Sequence, residues 1–285
     1  MLGIDPDPSA LWPEALARAP GRGPPAERLG QAFAAHGRAL IDAAAPACAA
    51  VKLQLACFER LGSAGQDALR VLIEHAHQAG LLVIADGKRG DVPVSAAAYA
   101  DALLGATASP LGQVPGLGAD AATVNPLMGT DALVPFVEAA RPGGRGLFVL
   151  VRTSNPGAED VQELELAGGG RVWERLAALV HRLGESEVGA HGLSSVGAVT
   201  GATAPEHLPR LRELMPRAVF LLPGVGAQGG SVNELAPAFA PGRAAALISA
   251  SRGIAQAHLR HGGEPHEAAR AEAERLRAQA WELAL

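Results

Sequence analysis

The chain has 285 residues and a formal net charge of −5, with 48% hydrophobic and 19% charged residues. This length and composition predict a globular protein with a large core, built as one barrel-type domain or as two smaller domains. The negative charge and the lack of a basic cluster argue against nucleic-acid polymers and membranes as partners, and no apolar run approaches the roughly 18 residues that cross a bilayer.

The cysteines and tryptophans give no sign of a special site. Cys48 and Cys57 are the only cysteines, too few for a disulfide framework, and we expect them to be buried thiols in a reducing cytoplasm. The first residues, MLGIDPDPSA, lack the basic, apolar and cleavage-site pattern of a secretion signal. Trp12, Trp173 and Trp281 are interpreted as packing residues.

Short β-rich runs recur along the chain, with amphipathic stretches of helical spacing between them. The predicted strands are LGID (2–5), AVKLQL (50–55), LLVIAD (81–86), AATVN (121–125), GLFVLVRT (146–153), VGAVTG (196–201), AVFLLPG (218–224) and AALISAS (245–251). Their alternation with helices predicts parallel βαβ units, and the number of units suits an α/β fold of the (β/α)8 TIM barrel type. An open doubly wound sheet is the alternative, but IDPDPSALW after the first run has no dinucleotide-binding fingerprint.

We therefore predict one domain over residues 1–285, with a C-terminal helix at about 264–285. Two stretches rich in glycine and proline, 19–30 and 108–119, are interpreted as surface connections. The long segment 154–172 contains three consecutive glycines. Because it follows the fifth predicted strand, it is a candidate for a flexible lid.

Charged residues interrupt the most apolar strands of the chain. Lys52 lies within AVKLQL, while Asp86 and Lys88 end and follow LLVIAD, and no other lysine is present. Together with Asp5 at the end of the first strand, they would converge at one mouth if the first three strands are neighbours. Salt bridges at strand ends would explain any one of them. Both lysines within this set favour instead a site for proton transfer and charge stabilisation that needs no metal.

The spacing of this charged segment resembles a known signature. Asp86-Gly87-Lys88-Arg89-Gly90-Asp91-Val92 is similar to the Asp-x-Lys-x-x-Asp-hydrophobic motif of the orotidine 5′-phosphate decarboxylase superfamily. The surroundings resemble the decarboxylases themselves, in their longer bacterial branch, from about residue 2 to residue 254. The supporting segments are IDPDP, VKLQLACFE, DGKRGDVPVSAAAYA, TVNPLMG, TSNPG, PGVGAQGG and SASRG.

The resemblance implies decarboxylation of orotidine 5′-phosphate to uridine 5′-phosphate, the last step of pyrimidine synthesis, with no cofactor and no metal. It assigns proton delivery to Lys88 and further catalytic roles to Asp86, Lys52 and Asp91. It assigns ribose binding to Asp5 and a pyrimidine contact to Ser154.

Two loops fit a phosphate site. PGVGAQGG (223–230) follows the seventh strand and SRG (251–253) follows the eighth, the usual place for phosphate in such barrels. Glycine lets backbone N–H groups approach an anion, and arginine offers forked donors. The resemblance implies substrate contacts here from Pro223, Gly226, Gln228, Arg252 and Gly253.

The resemblance also implies a homodimer. Asp91 and Ser95 are four residues apart and would share one face of a helix. In related enzymes this pair reaches the neighbouring subunit's site. We therefore expect each of two sites to be completed by the partner's copy of these residues.

Two other functions remain open. A hexulose-phosphate synthase or sugar-acid-phosphate decarboxylase shares the Asp-x-Lys-x-x-Asp frame but uses magnesium and more acidic ligands. Lys52 stands where those enzymes tend to have an acid, which favours the metal-free reaction. A non-catalytic nucleotide-binding relative would bind uridine 5′-phosphate without forming product, and the intact charged set argues against it.

Overall fold

A computed structural model of the protein describes residues 1–19, 21–226 and 228–283. The strands in these residues are β1 Leu2–Ile4, β2 Ala50–Gln54, β3 Leu82–Arg89, β4 Ala106–Ser109, β5 Gly112–Pro115, β6 Ala121–Val124, β7 Gly146–Arg152, β8 Ser194–Thr200, β9 Ala218–Leu222 and β10 Ala246–Ile248. The α-helices are α1 Pro13–Ala17, α2 Pro25–Ala44, α3 Leu55–Glu59, α4 Ser63–Gln78, α5 Pro93–Leu103, α6 Thr130–Ala140, α7 Val172–Gly184, α8 Leu208–Leu214, α9 Arg252–Ala255, α10 Ala257–His261 and α11 Pro265–Leu283.

All eight predicted strands are present, with ends shifted by up to about three residues. The expected C-terminal helix corresponds to α11, and residues 284 and 285 lie outside the described residues. The chain divides into two compact units, residues 1–87 with 250–277 and residues 88–249 with 278–285.

The first unit is built on three parallel strands, β1, β2 and β3. Leu2 pairs with Val51, and Lys52 pairs with Ile84. Leu2 also forms a parallel bridge to Ala250. Nearly every residue of β1 and β2 is buried, as expected when both faces of a parallel sheet are covered.

The second unit continues the pattern with β6, β7, β8, β9 and β10, all parallel. The last residues of β3 belong to this unit, where the Asn125 N–H donates to the Arg89 carbonyl at 2.7 Å. Three of these strands, β7, β9 and β10, end shortly before segments to which the sequence assigned site residues. The parallel order therefore places those segments at the carboxyl ends of their strands.

The stretch 108–119, expected to be a surface connection, forms most of an antiparallel hairpin from β4 and β5. Its turn is stabilised by Ser109, whose hydroxyl donates to the Gly112 carbonyl at 2.8 Å. Gly112 has a positive φ of 113°, which glycine adopts without strain. The hairpin is exposed, so the surface position was correct while the two strands were missed.

Two packing expectations are partly wrong. Trp12 and Trp173 are buried, but Trp281 is 57% exposed and lies against the Arg243 guanidinium, which is 4.0 Å from its ring. Cys48 and Cys57 are half-buried rather than buried. No helix among the described residues combines the length and the apolar character needed to span a bilayer.

His36 on α2 is the buried histidine of the first unit. Its Nδ1 accepts the Trp12 backbone N–H at 3.2 Å, and the two rings meet edge to face at 5.3 Å. Burial first, and then the nearby His258, lowers the pKa of His36 from 6.5 to about 4. The folded state therefore holds His36 neutral.

We expect acid to destabilise the protein through His36. The folded pKa lies below the unfolded one, so the stability is fully present above pH 6.5 and is lost as the pH falls toward 4. The free energy of unfolding should be lower by about 2 kcal/mol at pH 5 because of His36. Urea unfolding at pH 7 and pH 5 measures it.

The matched variants are His36→Asn, which keeps an acceptor near Trp12, and His191→Asn at an exposed position. Only His36→Asn should flatten the pH dependence. An equal loss between pH 7 and pH 5 in wild type and His36→Asn would contradict this assignment.

Candidate active site

Lys52 is the centre of a buried ion-pair cluster in the first unit. Its Nζ lies 2.5 Å from Asp86 Oδ2 and 3.7 Å from Asp5 Oδ1. Lys52 is 5% exposed and Asp86 is 4% exposed. Gln54 adds a second donor, with its Nε2 3.2 Å from the same Asp86 oxygen.

Strand register explains this cluster. Lys52 and Gln54 are two residues apart on β2 and so share one face, and Gln54 pairs with Asp86 on β3. Asp5 comes directly after β1, whose Gly3 pairs with Lys52. The sequence correctly predicted that these carboxyl ends bring Asp5, Lys52 and Asp86 together.

The electrostatics keep Lys52 charged. Burial alone would lower the pKa of the Lys52 ammonium, but the attraction of Asp86 and then of Asp5 outweighs it, so the pKa is raised. Removing Asp86 would leave the buried Lys52 ammonium without its nearest counter-charge, which is costly. The cluster is therefore a fixed arrangement of charges.

Asp5 and Arg252 line the same cavity, which has a volume of about 310 Å³. Ser251 and Asp7 also line it. Gly253 follows Arg252 in the first turn of α9, and its carbonyl accepts a hydrogen bond from Arg260 at 2.5 Å. Two residues that the sequence predicted for ribose and phosphate thus face one space.

Lys88 stands two residues beyond Asp86 on β3 and has an unusual backbone. Its φ is +48°, the only positive value among the non-glycine residues that the structure describes. The Lys88 N–H donates to the Thr123 hydroxyl at 2.9 Å, and Thr123 is buried. Thr123 was not predicted as a site residue, although a lone hydroxyl in the apolar run AATV stands out in the sequence.

The Lys88 side chain is exposed in the single chain, although both lysines were expected to converge with Asp5 and Asp86 at one mouth. Residues 83–86 of β3 are all buried, and Lys88 comes after this buried stretch with the positive φ described above. Gly90 then passes close to the neighbouring strand, since a Cβ at this position would lie 2.7 Å from the Asn125 carbonyl oxygen.

Asp91 and Ser95 are both half-buried. The helix α5 begins at Pro93, and Asp91 lies before it with its carboxylate accepting the Val92 N–H at 2.7 Å. The helical spacing used to relate Asp91 to Ser95 therefore does not apply, because Asp91 is outside the helix.

Ser154 and Gln228 are in direct contact. The Ser154 hydroxyl donates to Gln228 Oε1 at 2.8 Å, and the Ser154 carbonyl accepts the Thr203 hydroxyl at 3.0 Å. Gly201 makes this approach possible, because a Cβ there would lie 2.8 Å from the Ser154 backbone. The sequence predicted Ser154 and Gln228 separately, and the structure brings them together.

The glycine loop after β9 is folded on itself. The Pro223 carbonyl accepts the Ala202 N–H at 2.8 Å, and the Gly226 N–H donates to the Gly230 carbonyl at 3.0 Å. Gly226 has a positive φ of 74°, so a glycine is required there. The Gly226 N–H is therefore already engaged within the loop.

Comparisons with known proteins decide the family. Residues 34–271 match the model of the orotidine 5′-phosphate decarboxylase / HUMPS family. The chain belongs to this family. Curated orotidine 5′-phosphate decarboxylases are 48% identical in Rhodopirellula baltica, over 78% of this chain and 72% of that protein, and 46% identical in Deinococcus radiodurans, over 81% and 79%.

A solved candidate orotidine 5′-phosphate decarboxylase from Streptomyces avermitilis is 34% identical, with a TM-score of 0.78 over 99% of this chain and 90% of that chain. The predicted family resemblance and the (β/α)8 barrel fold class are confirmed. The predicted enzyme class is also confirmed, because the named relatives are decarboxylases, which are carboxy-lyases.

Proposed function

We propose that this protein converts orotidine 5′-phosphate to uridine 5′-phosphate and carbon dioxide, without a cofactor, as the last step of pyrimidine synthesis. The observation that carries the proposal is the buried Lys52, paired with Asp86 and Asp5. Asp86 begins the Asp86-Gly87-Lys88 segment, and the chain belongs to a family whose relatives are named for this reaction. We place the reaction in the cytoplasm, where the free Cys48 and Cys57 would stay reduced.

In the proposed step, the bond between the pyrimidine ring and its carboxylate breaks, and the electron pair stays on the ring carbon. Lys88 stabilises this negative charge as an ammonium and then transfers its proton to the carbon. Asp86 faces the substrate carboxylate, a like-charge contact that is relieved as carbon dioxide leaves. Lys52 keeps Asp86 in position and binds the ribose hydroxyls together with Asp5.

The remote phosphate supplies binding energy that orients the reacting ring. We assign it to Arg252, Gln228 and the backbone near Gly226 and Gly253, with Pro223 beside them. Ser154 contacts the pyrimidine. The cavity that Asp5 and Arg252 line supports the ribose and phosphate assignments.

We also propose a homodimer in which Asp91 and Ser95 complete the partner's site. Large apolar side chains near these residues are exposed, with Val92 at 54%, Val94 at 85% and Leu127 at 77%. The segments that carry them meet through the Arg89 carbonyl and the Asn125 N–H. An exposed apolar patch of this kind is typical of an interface.

Purified protein mixed with orotidine 5′-phosphate tests the function, with the ultraviolet absorbance change as readout. Turnover in the presence of a metal chelator is the expected result. Turnover abolished by the chelator would favour the magnesium-dependent relatives, although no group of three or more acidic, histidine or cysteine side chains in the described ranges is placed to hold a metal. Tight binding of uridine 5′-phosphate without turnover would favour the non-catalytic relative.

Arg252→Ala is expected to weaken substrate binding, because a forked donor to phosphate is lost. The Michaelis constant should rise by roughly tenfold to a hundredfold, from the loss of about 1.5–3 kcal/mol for a hydrogen bond to a charged group. Added guanidinium should restore part of the affinity. Arg70→Ala at an exposed position of α4 is the control. A wild-type Michaelis constant in Arg252→Ala would refute the phosphate assignment.

A further inference from the structure

The segment that follows β7 is held in place around Glu163. The Glu163 carboxylate accepts four side-chain hydrogen bonds. Three come from nearby in the chain, from Arg152 at 2.6 Å, Arg171 at 2.7 Å and the Trp173 indole at 3.2 Å. The fourth comes from His207 at 3.0 Å, 44 residues away.

This carboxylate is ionised over the whole working range of pH. Partial burial opposes the charge, but the hydrogen bonds from Arg171 and Arg152 outweigh it and lower the pKa of Glu163 to about 2. A segment whose middle is anchored by four donors is poorly suited to swing as a whole. The lid expected over 154–172 therefore has a fixed point at Glu163.

Gln162, the neighbour of Glu163, uses both ends of its amide on Thr153. Gln162 Oε1 accepts the Thr153 N–H at 2.8 Å, and Gln162 Nε2 donates to the Thr153 hydroxyl at 2.9 Å. The Thr153 carbonyl in turn accepts from Arg152 Nη1 at 2.6 Å. The Thr153 N–H is thus held by Gln162 and its carbonyl by the arginine that Glu163 binds, while its hydroxyl accepts from Gln162 and donates to Asn155 Oδ1 at 2.7 Å.

Thr153 directly precedes Ser154, so fixing Thr153 fixes the peptide that carries the Ser154 side chain. The Ser154 hydroxyl reaches Gln228 at 2.8 Å, and its backbone lies tightly against Gly201. A small rotation of the Thr153 peptide would move that hydroxyl by a sizeable fraction of a hydrogen-bond length. Misplacement on this scale affects binding and catalysis.

We propose that Gln162 is a positioning residue for Ser154, and that Glu163 sets the place from which Gln162 acts. Gln162 does not contact the substrate in this proposal. It controls where Ser154 meets the pyrimidine. The proposal rests on the proposed function, since Ser154 matters only if the site binds a pyrimidine nucleotide.

Gln162→Met, which has a similar shape but no hydrogen-bonding amide, tests the proposal. We expect the Michaelis constant for orotidine 5′-phosphate to rise about tenfold, the value of one well-placed hydrogen bond, with a smaller change in kcat. Gln31→Met at an exposed position of α2 is the matched control and should behave as wild type.

The decisive measurement repeats Gln162→Met in a Ser154→Ala background. Because Gln162 acts through the serine hydroxyl, adding Gln162→Met to the Ser154→Ala variant should change the Michaelis constant of that variant by less than about twofold. The same tenfold rise in both backgrounds, or a wild-type constant in Gln162→Met alone, would overturn the proposal. A merely structural role would instead lower the unfolding midpoint and leave the effect independent of Ser154.

A substitute variant and the activity of the wild-type protein separate the possible outcomes of this experiment. If Gln162→Met does not fold, Gln162→Glu replaces it in the cycle, since it keeps the acceptor for the Thr153 N–H and should show a smaller loss that again disappears with Ser154→Ala. Wild-type protein that does not turn over orotidine 5′-phosphate at all refutes the proposed function. Wild-type turnover with unaffected Gln162 variants refutes only the positioning role.

Discussion

Lys88→Ala is expected to reduce turnover of orotidine 5′-phosphate by at least about a thousandfold, within the range that a positioned general acid supplies. The side chain is exposed, so its removal opens no cavity and the fold should be preserved. Binding of uridine 5′-phosphate should persist, because the proposed phosphate and ribose contacts come from other residues. Absorbance assays for turnover and calorimetry for product binding measure the two effects separately.

Lys88→Arg is the charge control. Arginine keeps the positive charge but holds its proton too tightly to deliver it near neutral pH. It should therefore remain almost inactive while binding nucleotide. Turnover close to wild type in either variant would remove Lys88 from the mechanism and leave the buried Lys52 as the candidate proton source.

Arg212→Met is expected to cause the largest loss of stability, roughly 3–5 kcal/mol of unfolding free energy. The guanidinium of Arg212 is buried and donates to four backbone carbonyls, those of Met215, Ala218, Ala238 and Ala245. It also stacks on the Phe220 ring at 3.7 Å.

Burial lowers the pKa of Arg212 to about 10, so the group stays charged at neutral pH. Methionine would fill part of the volume but would leave the four carbonyls without this donor, and buried unsatisfied acceptors are costly.

Arg210→Met on the same helix provides the matched control. The Arg210 side chain is 53% exposed and pairs with Glu174 and Glu213 at the surface, where such pairs contribute about 1 kcal/mol or less. Urea unfolding of both variants measures the difference. Comparable losses for Arg210→Met and Arg212→Met would contradict the role assigned to the buried carbonyl contacts.

The strands could be predicted because buried parallel strands leave short apolar runs, such as LLVIAD, that turns and amphipathic stretches separate. The β4–β5 hairpin could not, because its exposed strands lack an apolar face and its Pro110 and Gly112 indicate only a loop. Its pairing depends on the Ser109 turn rather than on burial.

The candidate site was predicted where the chemistry is rare in the sequence. Two lysines in apolar strands stand out, and the register of the neighbouring strands then places Lys52 close to Asp5 and Asp86. The contacts of Glu163 could not be found in this way, because Arg152, Arg171 and His207 are common surface residue types without a fixed spacing. The direction of the Lys88 side chain could not be predicted from the alternation of residues along a strand, since it depends on one backbone angle.

That backbone angle has a consequence for anyone redesigning the protein. A lysine at φ +48° sits in a region where most side chains cost the fold on the order of 1 kcal/mol or more, and glycine would relieve it. Any procedure that ranks substitutions by thermostability alone would favour exchanging the residue on which the proposed chemistry depends. Position 88 should be held constant before such a search begins.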